Sequence, residues 1–465
     1  MQRSEEQGTV DRRRALRAAA LAGVGGVGMV VGLPTPAMAH QQSLQVIDVK
    51  AHGAVGDGVA DDRAAIQSAL NEVSSSSKTP NVVYFPAGDY AVSGPLVPKP
   101  NTLMWGTHTT DILGDYNPVS QCRIRVRPGF SGAALLMPGS SIYGLTIRNL
   151  ALAGMGLGTG VSGIRFPDTV STEQATCLED VTISAFTGDG IAGRISVLSM
   201  IQCIVVRNKG WGVRASPWTD GHITGCYFSF NETGNLLFTA QGGSQSGHVE
   251  VANTRIERAG GDPQDVSRPV NPSAPGVRID GAWSIRFTNC ATDANMGNGF
   301  EIVHDSSSPD WTPHHVQLVN CMFSRDGTGN QQTLGDYAGL KVVGTGPSAA
   351  SVSSVSCVNC VVGVGKADDG GGGTILGPKR GVWYDNTTYF QWIGGDVEGT
   401  EVAYHTGSGS NYRPLLVDIA KGLMTLPQDE PANSAAIPDG AIYLDAVASS
   451  LKVRVNGVWK AAALT

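Results

Sequence analysis

Seven short segments of this 465-residue chain share a pattern that would set reactive groups side by side. They are Gly163-Ile164-Arg165-Phe166, Gly212-Val213-Arg214, Asn235-Leu236-Leu237-Phe238, Gly276-Val277-Arg278-Ile279-Asp280, Gly299-Phe300-Glu301-Ile302, Gly339-Leu340-Lys341-Val342 and Gly381-Val382-Trp383-Tyr384. As strands, their alternation turns Ile164, Val213, Leu236, Val277, Phe300, Leu340 and Val382 inward and the residue after each outward. Stacked, the outward residues Arg165, Arg214, Leu237, Arg278, Glu301, Lys341 and Trp383 make one column at ~4.8 Å spacing, with Asp280 one outward step further along its strand. Glu301 and Asp280 could serve as the acid and base of glycoside hydrolysis. In an elimination, Arg278 or Lys341 would instead take the proton beside a uronate carboxylate while another cation stabilises the enolate. Arg165, Arg214, Trp383 and Trp283 would hold an extended sugar chain, especially an acidic one. The plain alternative is that these are solvated charges.

A second column competes. Three residues past a recurring cysteine position stand Ser229, Glu257, Asp293 and Ser324, with Tyr227 and Arg255 nearby. Glu257 and Asp293 would be stacked carboxylates, a second choice for an acid/base or calcium pair. Like charges at coil spacing repel, so the pair needs a cation or a shared proton. Asp220-Gly221-His222 is a weaker third candidate. No cofactor is required by these residues; calcium is the one ion the second pair would suit.

Such columns need a scaffold that repeats. Segments align on one mostly polar position, Asn149, Asp180, Gln202, Gly225, Asn253, Asn289, Asn320 and Asn359, at intervals of 31, 22, 23, 28, 36, 31 and 39 residues. About 22 residues make a bare coil and the surplus belongs in loops, the signature of a solenoid whose coils bury their apolar faces against their neighbours. Cys203, Cys226, Cys290, Cys321 and Cys360 follow the polar position directly, which predicts an inward cysteine stack beside an asparagine ladder. Cys357-x-x-Cys360 stands alone, so zinc ligation is not indicated. Two inserts, Gly260 to Pro275 and Gly365 to Arg380, should wall the first column on one side, with Trp283 and the stretch from His304 to His315 on the other.

Val46-Ile47-Asp48-Val49 leads through Gly53, Gly56 and Gly58 to Asp61-Asp62 and an amphipathic run with Ala65, Ile66, Ala69, Leu70 and Val73 on one face, for which Asp61 or Asp62 is the expected cap. A strand and tight turn follow in Val82-Val83-Tyr84-Phe85-Pro86-Ala87-Gly88-Asp89-Tyr90. This pair of motifs resembles the opening of the pectate lyase superfamily domain of the rhamnogalacturonase and epimerase-like group. The resemblance implies a right-handed parallel β-helix, an end-capping role for the helix with Asp57, Asp61 and Asp62, and a polysaccharide as substrate. The clustered Asn-Thr-Asp, Asp-Asp and Gly-His-Gly of the polygalacturonase relatives are missing, which argues against hydrolysis of polygalacturonate in particular.

Composition agrees with a turn-rich, strand-rich chain. Glycine makes up 61 of 465 residues and charged residues 16%, against roughly 7% and 25% in ordinary chains. Residues 1–39 read as a twin-arginine-type export signal, with Arg12, Arg13 and Arg14, a mild apolar stretch and Ala37-Met38-Ala39. Cleavage near Ala39 would leave an acidic secreted chain, unsuited to nucleic acid through its overall field and without a membrane span. From Pro427 the alternation around Asn456-Gly457 predicts a small β-hairpin similar to those closing phage tail and surface-fibre proteins.

The expected architecture is therefore all-β: a single-stranded right-handed parallel β-helix over 43–422 with an N-terminal capping helix, then a small C-terminal β module over 427–465. The module would cap its own last coil or join a homotrimer, since a lone hairpin is marginal in water. The expected function is cleavage of an extracellular polysaccharide by elimination or hydrolysis. The alternative is a non-catalytic glycan-binding or tail-fibre-like surface protein.

Overall fold

The computed structural model describes residues 45–465 apart from 75–80, 108–120, 141, 169–174, 241–245, 262–269, 305–311, 330–331, 334, 345–351, 367–374, 386, 407–414, 419–422, 425–441, 446–449, 456–457 and 463–465. The expected export segment, half of each insert and the start of the C-terminal module lie outside the described residues.

The described chain is a parallel β-helix. Its strands join one 32-stranded sheet in which each pairs with the equivalent strand one coil on. Three faces alternate along the chain, seen for example in Val277–Asp280, Ala282–Thr288 and Ala291–Asp293. The first face carries the column described above. The second is built of longer strands, and the third of strands about three residues long. The seven positions expected to point inward, from Ile164 to Val382, are each at most 1% exposed. Phe238, Phe287, Phe300 and Phe323 run through the interior edge to face, with ring centres 6.3, 4.8 and 5.3 Å apart.

The aligned polar position is the corner between the second and third faces. Asn149, Asp180, Gln202, Asn253, Asn289, Asn320 and Asn359 all hold φ between 51° and 53° there, and Gly225 holds 65°. Asparagine suits this left-handed corner because its short side chain bonds locally. Asn320 Nδ2 donates to Asn289 Oδ1 and Asn289 Nδ2 to Asn253 Oδ1, each at 3.3 Å. The five cysteines point inward as free thiols, each at most 3% exposed. A second amide ladder, not legible in the repeats, is fully buried: Asn208, Asn231, Asn235 and Asn295 pass hydrogen bonds along to Asp326 at 2.8–3.3 Å.

The helix Arg63–Glu72 buries Ile66, Ala69 and Leu70. Its cap differs from the simple expectation. Asp62 turns back to accept the N–H groups of Val55 and Gly56 at 2.6 and 3.2 Å, holding the preceding glycine turn, while Asp61 Oδ1 accepts from Arg63 N at 3.2 Å. At the other end, Ile442–Asp445, Ser450–Val455 and Val458–Ala462 form a three-stranded antiparallel sheet, one strand more than the expected hairpin. Val455 pairs with Val458 across the Asn-Gly position.

Candidate functional site

The column on the first face exists, with one correction. Arg165 pairs with Ala192, Ala192 with Arg214, Arg214 with Leu237, Leu237 with Arg278, Arg278 with Glu301, Glu301 with Lys341 and Lys341 with Trp383. The Ile191-Ala192-Gly193 coil was not among the seven segments, so Arg165 and Arg214 stand two coils apart. The column also extends one coil further, to His405 beside Trp383. That strand lacks the leading glycine that marks most of the others, which hid it.

The middle of the column is a compact charged cluster. Glu301, 7% exposed, accepts from Arg278 Nη1 at 3.1 Å and from Asn298 Nδ2 at 2.5 Å, with Lys341 Nζ 3.8 Å away. Asn298 is oriented for this because its own Oδ1 accepts the Ala338 N–H at 2.7 Å. Arg278 Nη2 lies 3.7 Å from Asp280, a second buried carboxylate, so one guanidinium serves both acids. Burying two carboxylates is tolerable only with such partners. Further along, Lys341 Nζ and the Arg380 guanidinium lie 4.9 and 4.3 Å from the Trp383 ring centre, and the His405 ring meets Trp383 at 5.4 Å. Arg380 is held by Asp336 through paired bonds of 2.8 and 2.6 Å. Burial, then the Arg380 charge, holds His405 below the usual imidazole range, while burial, then Glu301, pushes the Tyr337 phenol up.

The other candidates are placed elsewhere. Arg214 is clamped by Asp189 at 2.8 and 2.7 Å, and Arg165 lies 3.5 Å from Asp168. Trp283 begins the second face rather than joining the column. Its ring meets His248 at 4.2 Å and stacks on His314 at 5.9 Å, and it lies over Gly247, where a Cβ would fall 2.4 Å from its Nε1. Asp220 approaches His248 at 3.7 Å rather than pairing with His222.

Glu257 and Asp293 are direct neighbours on the third face, as expected. Guanidinium groups meet their repulsion. Arg255 bonds Glu257 Oε2 at 2.6 Å, Tyr227 donates to Oε1 at 2.5 Å, and Arg325 grips Asp293 through both oxygens. Burial, then the Glu257 carboxylate, pushes the Tyr227 phenol up, and Asp293 raises Arg325. Among the described residues no group of three or more His, Cys, Asp or Glu is placed to hold a metal ion, and no helix is long and apolar enough to cross a membrane.

Residues 46–244 match the family described as rhamnogalacturonase A/epimerase, pectate lyase-like. That segment is thus similar to the pectate lyase-like family, and the described residues have a parallel β-helix fold. Its coils superpose on the A-module of the mannuronan C-5 epimerase AlgE4 from Azotobacter vinelandii with a TM-score of 0.55 at 16% identity, covering 80% of this chain and 99% of that one. They superpose equally on the enzymatically active domain of tailspike protein 2 from bacteriophage CBA120, with a TM-score of 0.56 at 16% identity and coverage of 88% and 59%. At such identity the likeness is one of fold. A probable glucan endo-1,3-beta-glucosidase of Arthroderma benhamiae is 38% identical over 96 residues, 19% of this chain and 10% of that protein. The chain thus spans a tenth or less of the curated relatives it matches.

Proposed function

We propose that the chain acts outside the cell, after signal removal near Ala39, as an enzyme that hydrolyses a polysaccharide at the Glu301–Asp280 pair. The observation that carries this reading is the sharing of one guanidinium by two buried carboxylates on an outward-facing row. One carboxyl would protonate the leaving oxygen while the other activates water or attacks the sugar. Lys341 and the Trp383–His405 pair, on the next two coils, would seat the adjoining sugars, with the indole face against a pyranose ring. The glucosidase relative supports hydrolysis; the epimerase and the tailspike domain support a polysaccharide as the ligand class.

Elimination is the second reading: Lys341, held as an ammonium between Glu301 and the Trp383 ring, would stabilise the developing enolate while the Glu301 carboxylate takes the proton. The test is incubation of the full mature chain with pectins, alginates, glucuronans, β-1,3-glucan and other neutral glucans. New reducing ends without unsaturated uronates, abolished in Glu301→Gln, are expected. Unsaturated uronates would replace hydrolysis by elimination. Glycan binding with no turnover over long incubation would leave a binding or fibre-like protein. In solution we read the C-terminal module as covering its own chain's last coil. A trimeric mass by light scattering, lost on truncation near Gly422, would overturn that in favour of a homotrimer.

A further inference from the structure

The third face carries a cavity that the reading above does not use. Arg207, Phe230 and Arg258 occupy the same corner of three successive coils, with φ of 57°, 57° and 52°. The guanidinium carbons of Arg207 and Arg258 lie 5.4 and 5.2 Å from the Phe230 ring centre. One step back along the coils, Tyr227 pairs with Arg255 and Ser229 with Glu257. Arg207, Tyr227, Phe230, Arg255, Glu257 and Arg258 enclose about 310 Å³. Glu257, 4% exposed, forms the floor, with the Tyr227 hydroxyl and Arg255 on its two oxygens and Arg258 Nε at 4.0 Å.

We propose that this cavity is an accessory subsite for an acidic sugar residue of a polysaccharide. Three guanidinium groups against one carboxylate make its lining cationic, and its volume is at the small end of ligand sites, about one ring. The mixture of groups separates a sugar acid from a bare anion. An inorganic phosphate offers oxygens on every side and would meet the Glu257 carboxylate, whereas a uronate presents its carboxylate to Arg207 and Arg258 and its hydroxyl donors to Glu257. The assignment does not rest on catalysis at the first face, because the two sites share no residue.

Calorimetric titration tests it. The chain is used as Lys341→Ala, Trp383→Ala, so that the first-face row does not contribute, with trisaccharides of glucuronate, galacturonate and mannuronate, a neutral trisaccharide and inorganic phosphate as probes. At least one acidic trisaccharide should bind, and Arg207→Gly, Arg258→Gly should weaken it about tenfold or more. Both arginines hold positive φ, so glycine relaxes the backbone and offsets part of the lost contacts with Glu257 and Phe230, and a melting curve checks that the variant is folded at the titration temperature. Arg207→Lys, Arg258→Lys should recover part of the affinity. The proposal is overturned if no acidic trisaccharide binds at millimolar concentration, if the glycine variant binds unchanged, or if phosphate or the neutral sugar binds as tightly.

Discussion

Glu301 and Glu257 are both buried glutamates on ladder positions of the same solenoid, and they are stabilised in opposite ways. Along its own column Glu301 has Arg278 on the coil before and Lys341 on the coil after, so the ladder alternates in sign and the coil stacking itself supplies the counter-charges. Glu257 faces another acid, Asp293, on the next coil, and its cations come from within its own strand and from the corner beyond it. An acidic pair at coil spacing is therefore no sign of a metal by itself. What decides is whether arginines can reach the pair from neighbouring positions, and here Arg255, Arg258 and Arg325 do so. The first arrangement leaves one compact cluster along a row. The second spreads positive charge around a cavity.

The sharpest way to break this contrast is paired substitution of the two glutamates. Glu301→Gln should lower turnover on a responsive polysaccharide by about 100-fold or more, with little change in melting temperature, whereas Glu257→Gln should lower stability and change turnover only a few-fold. Steady-state rates and thermal melts on the same preparations check both halves. Equal rate losses would erase the distinction between the two regions.

A pH titration probes the third face next. Asp326, beside the Arg325 that clamps Asp293, is fully buried and pushed up to about 8 by burial, against the hydrogen bonds from Thr292 and Asn295. Between its ordinary value near 3.8 and about 8 the folded chain keeps a proton that the unfolded chain has released. The stabilisation is complete below that window and declines as pH rises through it, by about 2–3 kcal/mol from pH 6 to 8. Denaturant midpoints should show this decline, and Asp326→Asn should flatten it. A wild-type stability that climbs over that range would contradict it.

Removing the clamp itself is expected to matter somewhat less. Arg325→Met leaves Asp293 facing Glu257 without its bidentate partner and should cost about 1–3 kcal/mol, much of it restored by adding Asp293→Asn. No recovery in the double variant would mean that packing of the arginine stem, rather than charge, explains the loss. The smallest effect belongs to the first face. Trp383→Ala should weaken oligosaccharide binding by about 0.5–1.5 kcal/mol while leaving stability near wild type, as read by titration with inactive Glu301→Gln as the parent.

Coil architecture was legible because its causes are local. A left-handed corner every coil selects Asn or Gly, the residue after it turns inward and selects Cys, and alternation settles which strand residues face out. The order of the first-face column follows from those rules once each coil is found, and it failed only at Ile191-Ala192, a coil passed over although Gly190 leads it like the others, and at His405, where the leading glycine is missing. The residues around the column were not legible. Asn298, Asp189, Asp336 and Arg380 reach their partners from turns and strand edges, and nothing in a single coil's sequence says which neighbouring coil a corner side chain will meet. The buried amide ladder ending at Asp326 escaped for the same reason, since its members lie 4 to 60 residues apart along the chain. Sequence alone thus determined the repeat, the inward stack and the row of outward residues, because these depend on backbone conformation and period. Only the tertiary structure decided which charges neutralise one another, because an ion pair depends on distance across coils whose loops vary in length.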